Sequence, residues 1–235
     1  MQKTSMVDVA ANARAVLARI RDAAAKYGRD PGEIKLLGAA KSQSVEKIRA
    51  AIAAGIRLFG ENYVQEAKTK REAIREPAEW HMIGHLQRNK VKAALDLFDL
   101  IESLDSAALA RELDKEAKKS GRKARTFVEV NLGGEESKSG IAREQLRPLL
   151  EEVGSLSHLS VEGLMTVPPF REDPEEVRPY FRTLRELQLE LRELKMPNVE
   201  LKELSMGMTH DYPVAIEEGA TIVRIGTALF GPRQG

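Results

Sequence analysis

The sequence predicts an α/β protein, a single (β/α)8 TIM barrel with an extra helix at its N-terminus, and three observations carry that reading. Short runs rich in Val, Ile, Leu and Phe recur eight times, each followed by a longer amphipathic, charged run. The short runs are apolar almost throughout, the pattern of parallel strands covered on both faces. Eight strand–helix units is the number that closes a barrel. An open doubly wound sheet is the competing architecture. It calls for a glycine-rich loop after the first strand, where this chain has Lys41-Ser42-Gln43-Ser44.

The opening helix is expected over Met6–Tyr27, with Val9, Ala13, Val16, Leu17 and Ile20 at helical spacing and Gly28 as its stop. The strands are expected at Ile34–Lys41, Ile56–Asn62, Glu79–His85, Leu97–Leu104, Arg125–Asn131, Ser160–Val167, Val199–Ser205 and Thr221–Phe230, the last including some turn. Between them the pattern predicts helices over Ser44–Ala54, Tyr63–Arg75, Gln87–Ala94, Ser106–Ser120, Ala142–Val153, Pro174–Lys195 and His210–Glu218. Ser44, Ser106 and Thr209 are the expected N-caps, Pro174 and Pro213 fall in first turns, and Gly55 and Gly219 are stops. No Pro/Gly/Ser-rich linker or composition break interrupts the 235 residues, so one domain over 1–235 is expected.

Charge excludes some functions. Lys plus Arg number 37 and Asp plus Glu 36, a formal net charge of +1, which gives no bulk attraction to nucleic acid or anionic membrane. The absence of cysteine excludes disulfides, thiolate metal sites and cysteine nucleophiles. Met1–Asp8 has no apolar core or small-residue cleavage site, and no run reaches the length of a membrane span, so the expectation is a cytoplasmic protein.

A barrel places its chemistry at the C-terminal ends of its strands. There the chain has Lys41, Asn62, His85, Asn131, Met165 with Thr166, Ser205 with Gly207, and Arg224 with Gly226 and Thr227. Lys41 follows Leu36-Leu37-Gly38-Ala39-Ala40; small apolar neighbours leave room for an amine and favour its uncharged, aldehyde-reactive form. The plain alternative is a lysine reaching from a strand end into water. Ser205–Thr209 and Arg224–Thr227 fall after strands seven and eight, where barrels bind phosphate, although a simple N-cap and a simple turn would read the same way. Arg224, between Val223 and Ile225, needs a buried acceptor: either a strand-end carboxylate such as Glu129 or a heterocyclic nitrogen of a ligand. His81 and His85 would share one face of a strand, but with no third ligand nearby the reading is hydrogen bonding, with no metal site. Arg111–Lys123 and Pro174–Lys195 read as solvated helix faces.

Six segments together resemble one known family: Ala39-Ala40-Lys41, Phe59-Gly60-Glu61-Asn62-Tyr63, His81–Gln87, Gly163-Leu164-Met165-Thr166, Leu204–Met208 and Val223–Gly231. The chain is similar to the YggS/PROSC family of pyridoxal phosphate homeostasis proteins, and the matches run in order over nearly its whole length. The resemblance implies an alanine-racemase-like barrel, the third fold type of pyridoxal 5′-phosphate proteins, with that cofactor held as a Schiff base on Lys41. It implies Ser205, Gly207, Gly226 and Thr227 as the phosphate cradle, Arg224 at the pyridine nitrogen, and Asn62, His85 and Met165 lining the ring. Lys138 and Gly140 in the loop Asn131–Gly140 recur in the family, with no role assigned. The stretch Thr209-His210-Asp211-Tyr212 varies among relatives, and no site is placed there.

An arginine at the pyridine nitrogen leaves it unprotonated, so the ring is a weak electron sink. Racemisation needs an acid/base on each face of a substrate, and alanine racemases take the second from a tyrosine tied to a further domain. Here the chain stops at Gly235 directly after the eighth strand, and of Tyr27, Tyr63, Tyr180 and Tyr212 only Tyr63 and Tyr212 follow strand ends. The expectation is therefore no catalytic residue and a non-enzymatic store, buffer or donor of pyridoxal phosphate. Its partners would be the small molecule and apo forms of pyridoxal phosphate enzymes, and its state a monomer. A racemase is the alternative. An aldolase is poorer, because no carboxylate stands in the motif beside the lysine.

Overall fold

The computed structural model describes residues 7–135 and 139–232, so Met6 of the expected first helix and Lys138 of the 131–140 loop lie outside the described residues. Asp8 caps α1 (Val9–Lys26) by accepting from Ala11 N at 2.9 Å, and Val9, Ala13, Val16, Ile20 and Ala24 form its buried stripe. The chain then alternates: β1 (Lys35–Ala39), α2 (Val45–Ala53), β2 (Leu58–Glu61), α3 (Val64–Ala73), β3 (Glu79–Met82), α4 (Val91–Leu97), β4 (Leu100–Leu104), α5 (Ala107–Lys119) and β5 (Ala124–Asn131). After a two-residue strand β6 (Ile141–Ala142) come α6 (Arg143–Val153), β7 (Leu159–Met165), α7 (Arg178–Arg192), β8 (Val199–Met208), α8 (Tyr212–Glu217), β9 (Ile222–Ile225) and α9 (Thr227–Phe230).

The strand order is β4-β3-β2-β1-β9-β8-β7-β5, and a further β4–β5 pairing closes it into a barrel whose pairs are all parallel. The short β6 adds only to β5. Two apolar layers hold the barrel. Leu37, Leu58, Leu100, Phe127, Met165 and Ile222 fill its interior, and a larger layer that includes Ile48, Leu113, Phe181 and Leu184 lies between strands and helices. Burial of each such side chain contributes roughly 1.5–3 kcal/mol, so the outer layer dominates by number.

Ser44 and Ser106 cap α2 and α5 as the sequence led one to expect, accepting from Lys47 N and Leu109 N. Four expectations are corrected. The third strand stops at Met82, short of His85: Gly84 turns against the second strand, where a Cβ would lie 2.5 Å from Asn62 O. His81 and His85 therefore share no strand face. Thr209 is not a helix cap, because the helix after β8 begins at Tyr212 behind Asp211. The last segment divides into a strand ending at Ile225 and the short helix Thr227–Phe230. The long helix begins at Arg178, after a separate 3-10 turn over Pro174–Val177 that Asp173 caps through Glu175 N. No described helix is long and apolar enough to cross a membrane.

Candidate functional site

The C-terminal strand ends surround a cavity of about 350 Å3. Of the sequence-derived residues it gathers Lys41 after β1, Asn62 after β2, and Arg224, Gly226 and Thr227 at and after β9. Thr209 and His210 complete the same wall, and among the described residues no carboxylate lines it.

Lys41 sits in a tight turn closed by Gln43 N donating to Ala40 O at 2.9 Å, with Ser42 held at a φ of 60°. Its Nζ lies 5.1 Å from the centroid of the Tyr63 ring, a cation–π contact, and among the described residues it donates no hydrogen bond. The amine is thus held over a ring face but is not tied to an acceptor.

Arg224 enters the cavity from below. It is 4% exposed; Nη1 donates to Ser205 Oγ and Nη2 to Thr166 O, each at 2.8 Å. Ser205 in turn donates to Glu102 Oε2 at 2.5 Å, Glu102 Oε1 meets His81 Nδ1 at 2.6 Å, and His81 Nε2 meets Glu79 Oε1 at 3.2 Å. Burial opposes charging of His81, but its hydrogen bonds to Glu102 and Glu79 prevail and raise its pKa to about 9. At neutral pH the ring is therefore an imidazolium donating from both nitrogens. The negative charge of Glu102 is opposed by His81, while Arg224 touches only neutral acceptors. No described carboxylate lies within ion-pair distance of Arg224, so the alternative of a Glu129 ion pair does not form. Glu129 is pushed up to about 7 by burial, against the lowering effect of the Arg224 charge.

The upper wall is backbone and hydroxyl. Thr209 Oγ1 accepts from Ala228 N at 3.3 Å, which ties the end of β8 to the first turn of α9. Ala228 N is taken by that hydroxyl, and Leu229 N and Phe230 N donate to Gly226 O at 3.0 and 2.9 Å, which leaves the amide of Thr227, a residue of the cavity wall beside Gly226.

Ser205, Gly207, Met165 and His85 do not reach this wall. Ser205 is fully buried beneath it and holds Arg224. Gly207 has a φ of 91°, and a Cβ there would come within 2.5 Å of Ala215 Cβ, so it lets β8 end against α8. Met165 belongs to the barrel interior. His85 pairs with Asp105 at 3.0 Å and lines a neighbouring cavity of about 450 Å3 that shares Asn62. Sequence reasoning included Thr209 in the phosphate segment Ser205–Thr209 but placed no site on it, because the stretch Thr209–Tyr212 varies among relatives; here it lines the cavity. It missed Phe170 and His210, whose rings meet at 5.4 Å beside the cavity and which no local pattern marks.

The family model described as "Alanine racemase, N-terminal domain" matches residues 12–234. The chain is 51% identical over 220 residues to the pyridoxal phosphate homeostasis protein of Aquifex aeolicus, covering 93% of this chain and 96% of that one. It is 42% identical over 229 residues to the protein of the same name from Pseudomonas aeruginosa, covering 97% of each. The structure of PipY from Synechococcus elongatus with PLP bound superposes with a TM-score of 0.81 at 37% identity, over 92% of this chain and all of that one (100%). Alanine racemase of Clostridium difficile shares the fold, with a TM-score of 0.74 at 16% identity over 96% of this chain and 58% of that one.

Proposed function

The chain belongs to the family of pyridoxal phosphate homeostasis proteins, on the alanine racemase N-terminal domain fold, and we propose that it stores and hands over pyridoxal 5′-phosphate held on Lys41. The observation that carries this reading is one cavity in which, among the described residues, an amine without an acceptor and a buried guanidinium face no carboxylate. Such a site suits a small anionic aldehyde. Its volume, about 350 Å3, is in the range of small-molecule pockets. Lys41 is the residue that would hold the cofactor through its amine, and the cofactor would supply an amine-reactive aldehyde there.

The chain's own residues take distinct parts. The hydroxyls of Thr209 and Thr227 and the backbone at Gly226 and Thr227 would offer donors to the phosphate, and Thr209 is added to the cradle on its position in the wall. Arg224, always charged and a donor only, is the residue that would meet the ring nitrogen and favour its unprotonated form. Ser205 Oγ and Thr166 O hold the guanidinium in place. Asn62 borders the cavity, while Met165, Gly207 and His85 act by packing or in the adjoining space.

The carrier reading over a racemase rests on the second base. Tyr212 is fully buried, its hydroxyl has no hydrogen-bond partner, and burial raises its pKa. Tyr63 meets the Lys41 amine with its ring face. Burial thus keeps Tyr212 as the neutral phenol, and Tyr63 turns its ring face towards the amine. Transfer to apo-enzymes in the cytoplasm, by a monomer, belongs to the same reading.

The test is direct. The protein mixed with pyridoxal phosphate should turn yellow, and borohydride should fix the cofactor mass on the peptide containing Lys41. Loaded protein should then restore activity to an apo-enzyme faster than it racemises any free amino acid. A colourless protein, or rapid stereochemical turnover, defeats the reading.

A further inference from the structure

We infer that Glu66 and Lys70 of α3, with Glu61 at the end of β2, form a clamp that grips the peptide groups on both sides of Lys41 and so sets where its amine points. The inference rests on Lys41 being the cofactor-holding lysine, as proposed above.

The geometry is closed and buried. Lys70 is 5% exposed and its Nζ donates to three acceptors: Ala40 O at 2.6 Å, Glu61 Oε1 at 2.6 Å and Glu66 Oε1 at 2.7 Å. Three donors meet three acceptors, so this ammonium is saturated. Glu66 Oε1 also accepts from Ser42 N at 2.6 Å. The carbonyl before Lys41 and the amide after it are therefore both held by one helix, through residues four apart on a single face.

The turn needs such a grip. Ser42 occupies the left-handed region at 60°, where a residue with a Cβ is strained by roughly 1–2 kcal/mol. Strain of that kind persists only where surrounding contacts over-determine it. Hydrogen bonds to charged groups contribute about 1.5–3 kcal/mol each, enough to hold the turn. The side chain of Lys41 itself has only the Tyr63 ring to guide it, so its direction follows from the backbone beneath it. The same contacts explain why Lys70, although close in space, is not a competing amine.

These three are positioning residues, since none lines the cavity. Glu66 is the one to test, because its side chain is partly exposed and its loss leaves Lys70 paired with Glu61 and Ala40 O. Two readouts are taken on the full chain: affinity for pyridoxal phosphate by absorbance, and reductive methylation of Lys41 by formaldehyde in cofactor-free protein, scored by mass against exposed Lys92. Glu66→Ala should weaken affinity by about tenfold, the worth of one such hydrogen bond, and change the Lys41 labelling rate by about threefold or more. Glu66→Gln retains an oxygen for Ser42 N and should restore both to within about twofold. Urea midpoints identify any variant that has simply lost its fold. The clamp is overturned if Glu66→Ala stays within about twofold on both readouts, or if Glu66→Gln does as badly as the alanine. Should the unmodified protein fail to load Lys41 at all, the carrier reading falls instead, and the labelling contrast still decides the clamp.

Discussion

Two buried cations flank the cavity, and they are held in opposite ways. Lys70, between barrel and α3, is bonded to two carboxylates and a carbonyl, and Glu61 beside it is 0% exposed. Arg224, inside the barrel, is held by a hydroxyl and a carbonyl, both neutral. The first charge is cancelled where it stands, so it builds structure. The second is fixed in place with no described carboxylate in contact with it, so it remains available to a ligand. Burying an uncompensated charge is costly, and the route Ser205–Glu102–His81 distributes that cost by setting a carboxylate one hydrogen bond away.

The contrast breaks most visibly at Lys70. Lys70→Met leaves Glu61 and Glu66 without their cation and should cost about 3–4 kcal/mol in urea unfolding near pH 8. Burial already raises Glu61 to about 7 against the opposing pull of Lys70. A raised carboxyl destabilises the fold as pH rises from its unfolded value through its folded one. Without Lys70 the Glu61 carboxyl is pushed higher still, so the charge part of the penalty should shrink as pH falls from about 8 towards about 7 and level off below it. A pH-independent loss would mean that packing, and not charge, is what Lys70 supplies.

Arg224→Met should do the reverse. Pyridoxal phosphate affinity is expected to fall about 30-fold, the worth of one charged hydrogen bond, with only about 1 kcal/mol lost from stability because both protein acceptors are neutral. If the melting point of the cofactor-free protein falls as far as for Lys70→Met, the two cations are alike and the comparison fails.

Ser205→Ala separates Arg224 from Glu102 and is expected to cost about 1.5 kcal/mol of stability. Cofactor affinity should drop with it, since the guanidinium loses one of its two fixed bonds. Retained affinity would show that Thr166 O alone orients Arg224.

The smallest expected effect is a pH slope. The folded pKa of His81 is raised from 6.5 to about 9, so its stabilisation is complete below the unfolded value and is lost as pH climbs through the folded one. Urea stability should decline progressively between about pH 7 and 9. His81→Gln should flatten that decline; an unchanged slope would assign it to another group.

Periodicity alone carried the barrel. Eight apolar runs separated by amphipathic ones, with Ser44 and Ser106 as caps, determine helix and strand because hydrophobic spacing and capping are local properties. Lys41, Asn62, Arg224, Gly226 and Thr227 were legible as polar residues ending apolar strands, and the barrel brings them to one wall. The same reasoning could not tell Ser205, which points down into the interior, from Thr209, which borders the cavity. Strand alternation and the length of β8 decide that, and both depend on pairing with β7 and β9. Nor could it find Phe170 and His210, which loops deliver.

The sequence by itself determined the architecture and the chemical types gathered at the strand ends. Only the tertiary structure decided which cations are neutralised. The partners of Lys70 at Ala40 and of Arg224 at Thr166 lie 30 and 58 residues away along the chain. Whether a buried charge is free for a ligand is a property of its nearest acceptors, which closure of the barrel chooses.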